Sequence, residues 1–180
     1  MKWIGLTVLG MCGVVVVTVI GLLLMGRRAS AGQLRGEVVI NRPGDTVFAW
    51  ITEPDKLTQW VGGLVEVRPE TPGPKAVGSR ESWVMQDPIR RQGMTLLSEV
   101  TALAPNRRIA ARLSLPGSFS GVGSYTVTPL ENGSTRLEAD SRFTYDRWFF
   151  RLLEPLISAQ ATKKLQTDFG HLKEKLEAGH

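Results

Sequence analysis

The 180-residue chain carries 22 Lys and Arg against 17 Asp and Glu, a formal charge of +5, and has room for one core of ordinary size. Charged residues at 22% and hydrophobic residues at 42% exclude a disordered chain. Lys2, Arg27 and Arg28 flank one apolar run and every acidic residue lies beyond them; without these three, 19 basic residues face 17 acidic ones, +2, which excludes a nucleic-acid footprint.

Trp3 to Met25 contains no ionisable side chain except Cys12. At about 1.5 Å per residue it spans roughly 34 Å as a helix, enough for a bilayer core, so one transmembrane helix is expected here. Ala29-Ser30-Ala31 has the small residues of a signal-peptide cleavage site. Against cleavage, the apolar run is too long, and Arg27 and Arg28 stand where a signal peptide is neutral. Cys12 is the one cysteine, so no intrachain disulfide forms. Lys2 on one side against Arg27, Arg28 and Arg35 on the other predicts a single-pass protein with a cytoplasmic domain. Gly10, Gly13 and Gly21 do not repeat as a small-xxx-small pair, leaving the oligomeric state open. The expected organisation is residues 1–28 as membrane helix and basic flank, 29–36 as linker, and 37–180 as one folded domain.

Within that domain, Glu37 to Ile40 predicts a first strand. Two short helices are expected next, Thr46 to Thr52 capped by Asp45 and Lys56 to Val61 after Pro54-Asp55. Six strands follow: Leu64–Arg68, Gly78–Gln86, Gln92–Ala104, Arg107–Leu115, Gly123–Leu130 and Ser134–Tyr145. They are separated by Pro72-Gly73-Pro74, Asp87-Pro88, Pro105-Asn106, Pro116-Gly117 and Glu131-Asn132-Gly133. Turns this short imply an antiparallel meander.

In the last strand Leu137, Ala139, Ser141, Phe143 and Tyr145 alternate with Arg136, Glu138, Asp140 and Arg142, which marks the inner face. In Arg107–Leu115 the inner set is Ile109, Ala111, Leu113 and Leu115. Ala111, Ala139 and Ser141 are small enough to leave a space. The chain ends in a helix: Ile157, Ala161, Leu165, Phe169, Leu172 and Leu176 form one apolar stripe. A short turn, Trp148 to Glu154, precedes the main helix, with Asp146 as N-cap and Pro155 as first residue. So wide an apolar face needs the sheet as its partner.

This order of elements resembles the helix-grip fold. The segment Glu37–Trp60, EVVINRPGDTVFAWITEPDKLTQW, is similar to the opening of the START/Bet v 1-like (SRPBCC) superfamily in its polyketide cyclase/dehydrase and lipid-transport branch. Ser98–Ile109, SEVTALAPNRRI, resembles that branch's strand ending in a Pro-Arg turn, and Gly121–Pro129 with Gly133–Leu137 resembles its penultimate hairpin. The resemblance implies an α+β fold in which a seven-stranded curved antiparallel sheet grips the terminal helix. It also implies an apolar cavity that binds lipids, polyketides or similar ligands, and no particular reaction.

Two histidines, His171 and His180, with Cys12 in the apolar run, supply no metal site, and no cofactor motif is present. Gly117–Gly121 has Phe119 where a nucleophile elbow needs Ser. Glu138 and Asp140 belong to an outward charge ladder; Glu81 and Glu99 alternate with apolar residues on faces left open. The ligand-pocket candidates are Trp60, Trp83, Met85, Met94, Leu113, Tyr125, Phe143, Tyr145, Leu165 and Phe169, each of which could instead belong to a filled core. Trp148, Phe149, Phe150, Leu152 and Leu153 either cap the core or form a membrane-contacting edge.

The expected function is a membrane-anchored, non-catalytic binding domain for a hydrophobic small molecule or lipid. Two alternatives stand beside it. One is a cyclase/dehydratase-like enzyme in which Tyr125, Tyr145, Glu81 or Glu99 supplies a proton; the other is a protein-interaction module with a filled core.

Overall fold

The computed structural model describes residues 32–86 and 93–178. The transmembrane helix expected over residues 3–25 and the turn at Asp87-Pro88 lie outside them. Among the described residues no helix is long and apolar enough to cross a membrane.

Seven strands form one antiparallel sheet: β1 (Gly32–Ile40), β2 (Leu64–Pro69), β3 (Arg80–Gln86), β4 (Gly93–Ala104), β5 (Arg108–Leu115), β6 (Phe119–Pro129) and β7 (Thr135–Tyr145). Their spatial order is β1-β7-β6-β5-β4-β3-β2, the expected meander with β1 returning beside β7. Register shifts between Leu64 and Glu66 and between Val100 and Ala102 mark bulges, which bend the strands they interrupt. Helices α1 (Gly44–Thr52) and α2 (Pro54–Leu57) follow β1. A short α3 (Trp148–Leu152) and the long α4 (Glu154–Ala178) end the described chain.

Sequence and structure part at several boundaries. β1 starts at Gly32, so residues 32–36 of the expected linker are sheet. The glycines there serve packing: a Cβ on Gly36 would stand 2.7 Å from Leu165 Cδ2, so the missing side chain lets Leu165 of α4 seat closely on β1. β6 starts at Phe119, four residues earlier than expected, because Gly121 and Gly123 are packing residues inside the strand. A Cβ on Gly121 would meet Arg142 O and Phe143 Cδ1, each at 2.4 Å. The second short helix is Pro54–Leu57, with Pro54 in its first turn. Asp45 lies inside the first turn of α1 and Asp146 precedes the Arg147 cap of α3; neither caps its helix by a side-chain bond.

The core is the space between the sheet, α1, α2 and α4. Ile40, Val47, Leu57, Leu137 and Leu172 are fully buried there. The inner sets expected on β5 and β7 are the observed ones: Leu137, Ala139 and Tyr145 are buried while Arg136, Glu138 and Arg142 are exposed. The far end of α4 is tied to the β1–α1 turn. The Arg42 guanidinium donates to Leu176 O (2.8 Å), the Asn41 amide to Glu177 Oε1 (2.8 Å), and Lys173 Nζ to Val39 O (2.9 Å). The Arg42 bond satisfies a terminal carbonyl of the helix and puts a positive charge at the negative end of its dipole, and the other two fasten helix side chains to the end of β1 and the turn after it.

Candidate ligand cavity

Two cross-strand rows on the inner face define the site. One row runs Val100, Ala111, Gly123, Ser141 across β4 to β7. The next runs Glu81, Ser98, Leu113, Gly121, Phe143 from β3 to β7. Three small residues side by side in the first row withdraw the sheet surface from the core. Beneath them lies a cavity of about 90 Å³, with Ile51, Trp83, Val100, Ile109 and Leu113 among its apolar walls. Its polar wall is Lys75, Glu81, Ser98, Ser141 and Tyr125. A water needs roughly 10–15 Å³ of such volume, so the cavity admits a cluster of waters or a small ring. Drug-sized ligands occupy about 300–1,000 Å³ and require the walls to move.

Glu81 points inward and is 5% exposed. Its Oε1 lies 2.7 Å from Lys75 Nζ, and its Oε2 accepts from Trp83 Nε1 at 3.2 Å. Lys75 also donates to Thr52 O at the end of α1 (2.6 Å). Both carboxylate oxygens are therefore engaged, as a buried charge requires. Lys75 and Glu81 also line an outer cleft of about 320 Å³ beside Thr52, Pro54 and Pro69. The ion pair is thus a polar partition between this cleft and the inner cavity. Glu99, the other carboxylate left open by sequence, faces outward and pairs with Arg80 at 3.4 Å. A larger hollow of about 460 Å³ on the outer sheet face is bordered by Arg35, Glu37, Glu138 and Asp140, an ion-paired solvated surface.

Of the ten pocket candidates, Trp83, Leu113 and Tyr125 line the cavity. Trp60, Leu165 and Phe169 are instead buried core, at 2%, 7% and 2% exposure. Trp60, Phe169 and Tyr125 pack into one aromatic cluster, ring centroids 6.3–6.4 Å apart, with Trp60 edge-on to Tyr125, because α4 presses Phe169 against the α2–β2 turn that carries Trp60. Met85 and Met94 pair across β3 and β4. Phe143 covers Gly121 and meets Phe119 edge-on at 5.6 Å. Tyr145, at the end of β7, packs against Phe150 and lies near Ser158.

Tyr125 has its phenol pushed up from 10.0 to about 12, first by burial and then by the Asp168 carboxylate. Asp168 is itself buried and accepts from the Gly62 amide (3.0 Å) and from Lys164. Burial, then Glu154, raises the Tyr145 phenol, opposed by a hydrogen bond with Ser158. Between pH 10 and 12 the unfolded chain loses the Tyr125 proton while the folded chain keeps it. The stability from burying the neutral phenol is therefore complete below pH 10 and lost as pH rises toward 12. The chain has two tyrosines. Spectrophotometric titration of Tyr145→Phe, which leaves Tyr125 alone, is expected to give a midpoint near 12; a midpoint at the ordinary value would refute the burial.

Sequence reasoning missed Lys75 and Asp168. Lys75 follows a Pro-Gly-Pro turn, and nothing local marks it as inward. Asp168 did carry a signal: it falls three residues after Leu165 and four before Leu172, on the buried stripe of α4.

A sheet wrapped around a terminal helix, with a half-polar cavity on its inner face closed by Ile51 of α1 and Lys75 of the β2–β3 loop, defines a START-like helix-grip domain. The match to the polyketide cyclase/dehydrase and lipid transport family covers residues 31–177, and the chain belongs to that family. No curated protein matches it significantly. Among solved structures it is similar to a START superfamily protein from Mycobacterium smegmatis, at 16% identity and TM-score 0.68, covering 82% of this chain and 98% of that one. A conserved protein from Geobacillus kaustophilus is similar at 14% identity and TM-score 0.67, covering 82% and 97%. DynU16, from the dynemicin biosynthetic locus, is similar at 22% identity and TM-score 0.63, covering 82% of this chain and 48% of that one. Likenesses at these identities establish the fold.

Proposed function

We propose that this protein is a membrane-tethered domain that binds a hydrophobic small molecule or lipid bearing a polar group, without turning it over. The observation that carries this reading is the row Ala111, Gly123, Ser141, which opens a cavity lined also by Trp83 and by the Lys75–Glu81 pair beside it. The apolar walls suit a hydrocarbon or ring body. Lys75, Ser98 and Ser141 suit an oxygen on its end. The tether is the apolar run of residues 3–25, and the flanking charges favour a cytoplasmic domain.

Native mass spectrometry of the full chain released from nanodiscs, followed by lipid extraction, tests the binding. A defined co-purifying molecule is expected, and Trp83→Ala is expected to weaken its affinity about tenfold, ~1.4 kcal/mol. Equal affinity in that variant would remove the cavity from the assignment.

One observation favours a second reading, a cyclase- or dehydratase-like enzyme: Glu81 is a carboxylate in the cavity wall. Against it, both oxygens of Glu81 already hold donors from the protein. Conversion of the bound molecule by the wild type, lost in Glu81→Gln while binding persists, would replace the carrier reading with the enzymatic one.

A further inference from the structure

The chain enters the domain at the elbow between α3 and α4. A Cβ on Gly32, the first residue of β1, would stand 3.1 Å from Tyr145 Oη and 3.3 Å from Ser158 Oγ on α4. The β5–β6 hairpin ends on the same edge, where the Asp146 amide donates to Ser118 O at 3.0 Å. The apolar run that ends at Met25 lies seven residue steps before Gly32, a reach of at most about 25 Å even fully extended. A headgroup layer takes roughly 5–8 Å of that.

The same elbow exposes Leu153 at 43% and Leu156 at 60%. Arg147 and Arg151 beside them are exposed, against one exposed acid, Asp146. Glu154, the other acid of this stretch, is turned inward and accepts from Ser158 at 2.6 Å. The surface next to the tether is therefore apolar with a basic border, and this complements an anionic bilayer surface.

We propose that the α3–α4 elbow docks on the bilayer, with Leu153 and Leu156 entering the apolar margin of the headgroup layer and Arg147 and Arg151 meeting anionic headgroups. This rests on the membrane-tether reading and extends it by naming the face turned to lipid. It also orients the domain: the β2–β3 loop, which carries Val77 and Lys75, joins the two strands at the opposite edge of the sheet from β1 and β7, and the docking turns it away from the membrane.

The test uses the full chain, with Cys12→Ser removing the native thiol, in vesicles of phosphatidylcholine and phosphatidylglycerol. An environment-sensitive fluorophore is placed through Leu156→Cys or, as a control, through Val77→Cys; both positions are exposed, at 60% and 64%, so labelling leaves the core intact. Lipids carrying a quencher on the acyl chain are expected to quench the label at 156 several-fold more than at 77, with a blue shift at 156 only. Equal quenching at both sites, with the protein retained through an alkaline wash, would overturn the docking and leave the tether standing. Release by that wash would overturn the tether and the docking with it. A label at 156 shielded from water yet not quenched by lipid would assign the face to a protein contact and overturn the proposal.

Discussion

Trp60→Ala is expected to cost about 3–5 kcal/mol of stability, the range for removing a large ring from a close-packed core. Trp60 is 2% exposed, is packed edge-on to Tyr125 and against Phe169, and donates its Nε1–H to Trp50 O at 3.0 Å. The variant loses the transfer free energy of the ring, leaves a void that neighbours fill only in part, and deprives the Trp50 carbonyl of its donor. Against a total stability of about 5–15 kcal/mol this is a large fraction, and urea unfolding at constant slope measures it. A loss below about 1 kcal/mol would return Trp60 to the ligand pocket, where a side chain facing a partly open space can be truncated cheaply.

Lys75→Met should destabilise by about 3 kcal/mol, near the lower end of what removing one partner of a buried pair costs, since the Lys75 side chain keeps 18% of its exposure and Glu81 only 6%. The loss comes chiefly from the carboxylate that remains: Glu81 retains the Trp83 indole and lacks a positive charge. Lys75→Met combined with Glu81→Leu is accordingly expected to regain part of the stability, because two apolar groups need no compensation while the Trp83 Nε1–H and the Thr52 carbonyl lose their partners. A double variant as unstable as the single one would mean that Lys75 acts through its bond to Thr52 O, tying the β2–β3 loop to α1, and not through Glu81. If the pair is also the partition between cleft and cavity, the double variant should keep its fold and change its ligand.

The elements whose period is their own signal were legible in the chain: the strands with two-fold alternation, the apolar stripe of α4, and the turns spelled by Pro and Gly. Neighbouring residues on one face of a strand or helix are fixed by local geometry, so no knowledge of partners is needed to list them. Alternation on β5 and β7 thus named the inner face correctly, and of the small residues on it Ala111 and Ser141 line the cavity while Ala139 belongs to the core. Aromatic residues were legible as inward but not as lining or core. Trp60 and Trp83 have the same chemistry, and only the position of α4 separates the buried ring from the one that faces space.

By itself, the sequence determined the order of elements, the antiparallel meander, the inner faces and the apolar run ahead of the domain, because each follows from composition and periodicity within a short stretch. Tertiary structure decided the rest. It placed Ala111, Gly123 and Ser141 in one row, and brought Lys75 from a loop onto Glu81. It turned Glu99 outward while Glu81 went inward, and set Gly32 beside the helix elbow. Each of these depends on strand register and on the approach of segments far apart in the chain, and a shift of one residue in register would have reversed every one of those faces.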